Sequence, residues 1–316
     1  MAGEGRGACG QRPIGQAVAQ ARGAGILTRE KDDLDPQRLS AEGIERYLRR
    51  HGLTANRRRS QNHLVDGQVL EDIIDLAAPV EGGRVLEIGP GLGILTSALL
   101  TRGAKVTAVE VDPRLVGHLR TRLDAAIGAG QLELVEGDAL DIAVTDLVHE
   151  PYDLVANIPY HITSPLMHHV LGGEPRPKRF VLMVQREVAE RIAAKPGDMS
   201  YLSVFVQYHA DVRVGRIVPA SAFEPAPEVQ SAVLVGETRP RRLDEEGEEQ
   251  LWRVVQAGFR ERRKMLHNVL PRQLPQVGRE RFTDALAKVG IAPDRRPQTV
   301  SVEEWMALAA TIGPID

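Results

Sequence analysis

Apolar and polar positions change rhythm several times along the chain. Residues 1–38 show no clean period and are rich in Gly, Ala, Arg and Gln, which predicts a flexible tail over 1–39. Residues 40–51 then carry Ile44, Tyr47 and Leu48 at helical spacing behind Ser40, a suitable cap. From residue 84, short β-rich runs alternate with helical stretches. Strands are predicted at 84–88, 105–109, 132–135, 152–156 and 179–184. Leu95, Leu99 and Leu100 mark a helix after the first strand, and Pro113 suits the first turn of a helix after the second. Strands separated by helices imply a mostly parallel sheet covered on both faces. Two later runs, 211–218 and 230–235, have no evident helix between them, so an antiparallel edge is expected. A charged linker over 237–248 follows. Beyond it Leu251, Val254, Val255, Met265, Leu266 and Leu270 fall at helical spacing. The expected organisation is a tail (1–39), an α/β domain with a helical lead-in (40–237) and a smaller all-helical domain (238–316).

Composition narrows the classes. A chain of 316 residues is comfortable for two domains, and 42% hydrophobic with 26% charged residues is globular. No apolar stretch approaches the roughly eighteen residues of a membrane span, and the N-terminus lacks the apolar core of a secretory signal. The single cysteine, Cys9, excludes an internal disulfide framework and a cysteine-based zinc site, and a cytoplasmic home is expected. A net charge of −3 counts mildly against a nucleic-acid ligand. The average conceals basic clusters, however: Arg57, Arg58 and Arg59, then Arg260, Arg262, Arg263 and Lys264. Such a patch binds phosphates even on an acidic chain.

Candidate chemistry begins with "LEIGPGLGILT" (86–96), which places Gly89, Gly91 and Gly93 between the first strand and its helix. Glycines there let the backbone approach a ligand at a helix N-terminus. The dinucleotide fingerprint G-x-G-x-x-G would need a glycine or alanine at residue 94, which is Ile. The spacing G-x-G-x-G instead fits a nucleoside with an amino-acid tail, such as S-adenosylmethionine (SAM). Glu110 ends the second strand, where a carboxylate can accept from both ribose hydroxyls, and Asp138 ends the third, where it can accept from the adenine amine. The plainer alternatives are that Glu110 caps a helix and that Asp138 turns the chain.

"NIPY" (157–160) ends the fourth strand at the same rim. The exocyclic nitrogen of adenine is a poor nucleophile because its lone pair is delocalised into the ring. The Asn157 amide oxygen and a nearby backbone carbonyl can accept its two hydrogens and aim the lone pair at a methyl donor. Pro159 stiffens the loop, and Tyr160 offers a ring for an extruded base. The alternative is a rigid turn with Tyr160 in the core. His161, His168 and His169 have no acidic partner at ligand spacing, so no metal site is expected.

Seven segments in order then carry a resemblance: "SQNHLVD" (60–66), "EIGPGLGILT" (87–96), "EGDAL" (136–140), "NIPYHITSP" (157–165), "MVQREVAER" (183–191), "VPASAFEPAPEVQSAVL" (218–234) and "GFRERRKMLHNVL" (258–270). The chain resembles the KsgA-type small-subunit rRNA adenine N6,N6-dimethyltransferases from about residue 43 onward. The resemblance implies a Rossmann-like class I SAM-dependent methyltransferase sheet with a helical C-terminal domain that meets RNA. It implies SAM contacts from Asn62, Leu64, Gly89, Glu110, Asp138 and Asn157. It implies that Asn157 and the Ile158 backbone hold the target amine, with Tyr160 stacking and Phe223 facing the other side of the base; for Phe223 the alternative is a core aromatic beside two prolines. Arg186 is a further candidate RNA contact. The implied reaction is N6,N6-dimethylation of two adjacent adenines near the 3′ end of small-subunit rRNA, within an immature subunit, by a monomer.

The chain departs from the family in three places. Where the family usually has Gly-Gln-Asn-Phe-Leu, residues 60–64 read Ser-Gln-Asn-His-Leu. Serine there is also common in the related large-subunit rRNA methylases, the chief rival reading. His63 in place of Phe alters the expected packing near the cofactor. Glu228 stands where the family tends to be basic, and the N-terminal tail is longer than usual. A non-enzymatic assembly factor would be expected to lose the cofactor residues. A DNA adenine methylase would act on naked duplex.

Overall fold

The structure, a computed structural model, describes residues 34–35, 38–54, 61–149 and 151–315. The expected tail therefore lies almost wholly outside the described residues, as do Cys9, Arg57, Arg58, Arg59 and Ser60. At the tail's far end, Leu34 is buried in the core. The first described helix, Ala41–Arg50, starts where the pattern placed it: the Ser40 hydroxyl accepts the Gly43 N–H at 3.1 Å, and Ile44 and Tyr47 face inward.

Among the described residues nine strands follow in chain order: β1 (His63–Leu64), β2 (Arg84–Ile88), β3 (Lys105–Glu110), β4 (Leu132–Glu136), β5 (Tyr152–Asn157), β6 (Arg179–Gln185), β7 (Ala210–Val218), β8 (Phe223–Glu224) and β9 (Ser231–Thr238). Seven of them form one sheet in the order β4-β3-β2-β5-β6-β9-β7, and β1 pairs with β8 in a separate two-residue ladder. All seven strands of the larger sheet match expected runs to within three residues.

Strands β2 to β6 pair in parallel, and the inner ones, β2, β3, β5 and β6, are largely buried on both faces by alternating side chains. Val155, Val181 and Met183 join the cluster beneath helices Gly67–Ala77 and Ile94–Thr101, whereas Leu154, Phe180 and Leu182 join the opposite cluster with Leu166 and Val170. The expected antiparallel edge is present, and the structure adds the order of its strands. β9 runs antiparallel but lies inside the sheet, between β6 and β7, and β7 is the edge. The cause is burial: residues 231–236 are all buried, as suits a strand with two neighbours, while β7 alternates buried ends with exposed positions.

Helices Glu245–Arg260, Leu266–Gln273, Arg279–Lys288 and Val302–Ile312 enclose a third core around the fully buried Trp305. Gly258 is required there, since a Cβ on it would lie 2.6 Å from the Trp305 ring. Met199, Val204 and Tyr208, from chain before β7, complete the same core.

Candidate active site

The parallel strands end at a cavity of about 320 Å³, a volume suited to a small-molecule ligand. The β2 turn supplies Gly89 and Gly91, β3 supplies Glu110, the loop after β4 supplies Asp138, and β5 and its loop supply Asn157, Ile158, Pro159 and Tyr160. Asn62, His63 and Leu64 close it from the N-terminal side. These expected residues thus line one space.

Gly89, Gly91 and Gly93 all have positive φ (69°, 59° and 77°). Their surroundings differ. A Cβ on Gly93 would lie 2.7 Å from Leu119, so this glycine serves the packing of helix Pro113–Arg122. A Cβ on Gly91 would point toward the His63 ring at 3.7 Å, and one on Gly89 toward Pro159 at 3.6 Å. Those two let the glycine turn meet the other walls of the cavity.

Glu110 does not cap the following helix; Asp112 does. Its two oxygens accept backbone N–H groups from Gly91 at 3.2 Å and Asp112 at 2.9 Å. Burial raises its pKa, and those two donors offset the effect. The carboxylate is therefore held rigidly, with lone pairs to spare for ribose hydroxyls. Asp138 does turn the chain, accepting the Leu140 N–H at 3.0 Å, and it lines the cavity as well.

Asn157 donates its amide N–H to the Asn62 carbonyl at 3.4 Å, across 95 residues of sequence. That orientation leaves Oδ1 as an acceptor. Tyr160 begins a short 3₁₀ turn and lies half-buried at the mouth, its hydroxyl 2.6 Å from Ser231 Oγ at the start of β9. Burial raises its pKa, so it stays neutral. Ser231 was not singled out in the sequence, and its only signal there was its place within "VPASAFEPAPEVQSAVL" (218–234). Glu87 was missed too. It is fully buried in the cavity wall, and burial pushes its pKa to about 8. The nearby Thr96 hydroxyl opposes that rise, and Glu87 Oε2 has no partner of good geometry among the described residues.

Phe223 takes the alternative place, in the core, and not the one facing the base. It is 2% exposed and pairs across the small ladder with Leu64, inside the apolar core. Core burial of a phenyl ring is worth about 1.5–3 kcal/mol, which the open mouth does not offer. Among the histidines, His168 packs on Phe205, and His169 bonds the Ile142 carbonyl at 2.9 Å. Arg186 is exposed but engaged, with Glu190 at 2.7 Å and Gln230 at 2.9 Å. Arg260 ends its helix and donates to Gln273. Arg262, Arg263 and Lys264 sit exposed in the turn that follows, where the Lys264 backbone N–H donates to the Glu261 carbonyl at 2.8 Å. Among those residues no helix is long and apolar enough to cross a membrane.

The profile of the family described as "Ribosomal RNA adenine dimethylase" matches residues 52–312. The chain belongs to that family. Among curated relatives of this dimethylase, "Ribosomal RNA small subunit methyltransferase A" of Anaeromyxobacter sp. (strain K) is 42% identical over 279 residues, covering 84% of this chain and 96% of the relative. The protein of the same description from Novosphingobium aromaticivorans is 42% identical over 268 residues, covering 83% and 94%. Among solved structures, a dimethyladenosine transferase from Plasmodium falciparum superposes with a TM-score of 0.67 at 27% identity, covering 78% of this chain and 95% of that one. The 23S rRNA methyltransferase ErmE superposes at 0.64 and 28%, covering 80% and 100%.

The dimethylase is thus a SAM-dependent rRNA methyltransferase with the class I fold. The cavity fits that cofactor. It has a glycine cradle that a Cβ would fill, a fixed carboxylate, Glu110, with lone pairs to spare, and a buried acid, Glu87, whose Oε2 has no partner among the described residues.

Proposed function

We propose that this chain dimethylates the N6 amines of two adjacent adenines near the 3′ end of small-subunit rRNA, in the cytoplasm, on an immature small ribosomal subunit. The observation that carries the reading is the mouth of the cavity, where the Asn157 Oδ1 acceptor and the anchored Tyr160 ring stand beside the cofactor wall. When bound, SAM supplies the methyl group. Asn157 Oδ1 and the Ile158 carbonyl accept the two amine hydrogens, which localises the nitrogen lone pair and aligns it. Pro159 keeps the loop stiff, and Tyr160 stacks on the base. Each transfer releases one amine proton, and no strong base is needed. Asn62, Leu64, Gly89, Glu110 and Asp138 bind the cofactor in this reading.

The helices after residue 238 act as a separate RNA-contacting domain. There Arg260, Arg262, Arg263 and Lys264, with Arg186 and Arg57 to Arg59, meet phosphates. The enzyme works as a monomer. The likeness to ErmE and the serine at position 60 favour the large subunit as the second reading. Methyl transfer to purified immature small subunits tests the first reading, with primer extension on both rRNAs of a deletion strain. Unmodified small-subunit adenines beside unchanged large-subunit rRNA is the expected result, and the reverse pattern selects the rival.

A further inference from the structure

One group in the cavity wall has no role in the mechanism above. His63 stands between Asn62 and Leu64 on β1, is 7% exposed and lines the cavity. Its ring lies against Gly91, whose N–H is held by Glu110 on the other side. No hydrogen bond from a described residue reaches either ring nitrogen. Neither nitrogen is wholly shut off, so each is open to a polar group that enters the cavity. Burial also lowers its pKa to about 4, so at neutral pH the ring presents one N–H and one lone pair. The phenyl ring that the family usually has at this position offers neither.

We propose that His63 hydrogen-bonds an oxygen of bound SAM, either the amino-acid carboxylate or a ribose hydroxyl, and thereby strengthens cofactor binding. The contact rests on the reading that this cavity holds SAM. It spans the gap between the methyl end, marked by Asn62 and Asn157, and the ribose end, marked by Gly91 and Glu110. The imidazole N–H donates and the cofactor oxygen accepts.

Calorimetric titration of S-adenosylhomocysteine into the wild type, His63→Phe and His63→Asn tests this. His63→Phe restores the family's usual residue and should fold. Its affinity should fall about tenfold, while His63→Asn, which keeps a donor, should lose less than about threefold. In histidine-labelled wild type, the His63 ring resonance should move on titration. Repeating the titrations with 5′-methylthioadenosine, which lacks the amino acid, identifies the oxygen. A penalty that persists points to the ribose, and one that vanishes points to the carboxylate. Unchanged affinity in His63→Phe, or an unmoved resonance, overturns the contact. A wild type that binds no S-adenosylhomocysteine overturns the cofactor reading and the contact together.

Discussion

The two halves of the rim are built differently. On the cofactor side, Glu110 is 4% exposed and held by two backbone donors that lie close in the fold. On the substrate side, Asn157 and Tyr160 are only partly buried, and each is held by one bond to a distant segment: Asn62 and Ser231. Backbone donors cost nothing to order once the sheet has formed, whereas a side-chain pair must be fixed by its own contacts. The first half is therefore a preformed socket, and the second is a jaw whose set depends on single contacts.

This contrast fails if substitutions on the two sides have the same signature. Asn157→Ala should have the largest effect, lowering the rate of methyl transfer by about a hundredfold or more while S-adenosylhomocysteine still binds measurably. Wild-type single-turnover rates in that variant would remove Asn157 from its role. Glu110→Ala should instead weaken S-adenosylhomocysteine by about 10- to 100-fold in calorimetry, with the rate largely recovered at saturating cofactor. A variant that binds normally yet turns over slowly would break the division between the halves. Ser231→Ala should be milder. Freeing the Tyr160 hydroxyl should cut the rate by about three- to tenfold, with cofactor affinity unchanged. Equal losses in both quantities would place Ser231 in the socket.

The smallest expected effect is on stability. Glu87 keeps its proton up to about pH 8 when folded but loses it near its ordinary value of 4.5 when unfolded. Between those values the unfolded chain binds fewer protons, so stability falls as pH rises, and the loss is complete above about 8. Glu87→Gln removes that penalty. Its melting temperature should exceed that of the wild type at pH 8 by on the order of 4 °C, with the gap closing toward pH 4.5. A gap independent of pH would show that Glu87 does not titrate in this window.

What was readable in the sequence follows the same division. Strand ends and the glycine turn are local, so Gly89, Glu110 and Asp138 could be placed from short runs and their order. The rim position of Asn157 came from the same logic. Ser231 could not be found that way, because it meets Tyr160 across 71 residues. Nor could the choice of core over base at Phe223, which depends on the β1–β8 ladder, or the insertion of β9 between β6 and β7. Both are choices among long-range partners, on which hydrophobic period is silent. The exchange of Phe for His at residue 63 was legible as a departure. That its ring nitrogens go unpartnered in a cavity wall was not.

The reversal of β9 has a wider consequence. Five parallel strands end at the rim, and β7, which runs with them, ends there too. Because β9 runs the other way, its start arrives at that same end, with Ser231 opposite both Gln185 and Val218. The connection over 219–230 is thus anchored at both ends beside the cavity, and midway it reaches across to pair with β1. A single inverted strand turns what would have been a crossover behind the sheet into a brace at the rim, tied to the cavity walls through Ser231–Tyr160 and β8–β1, which sequence change can reshape without disturbing the order of the strands.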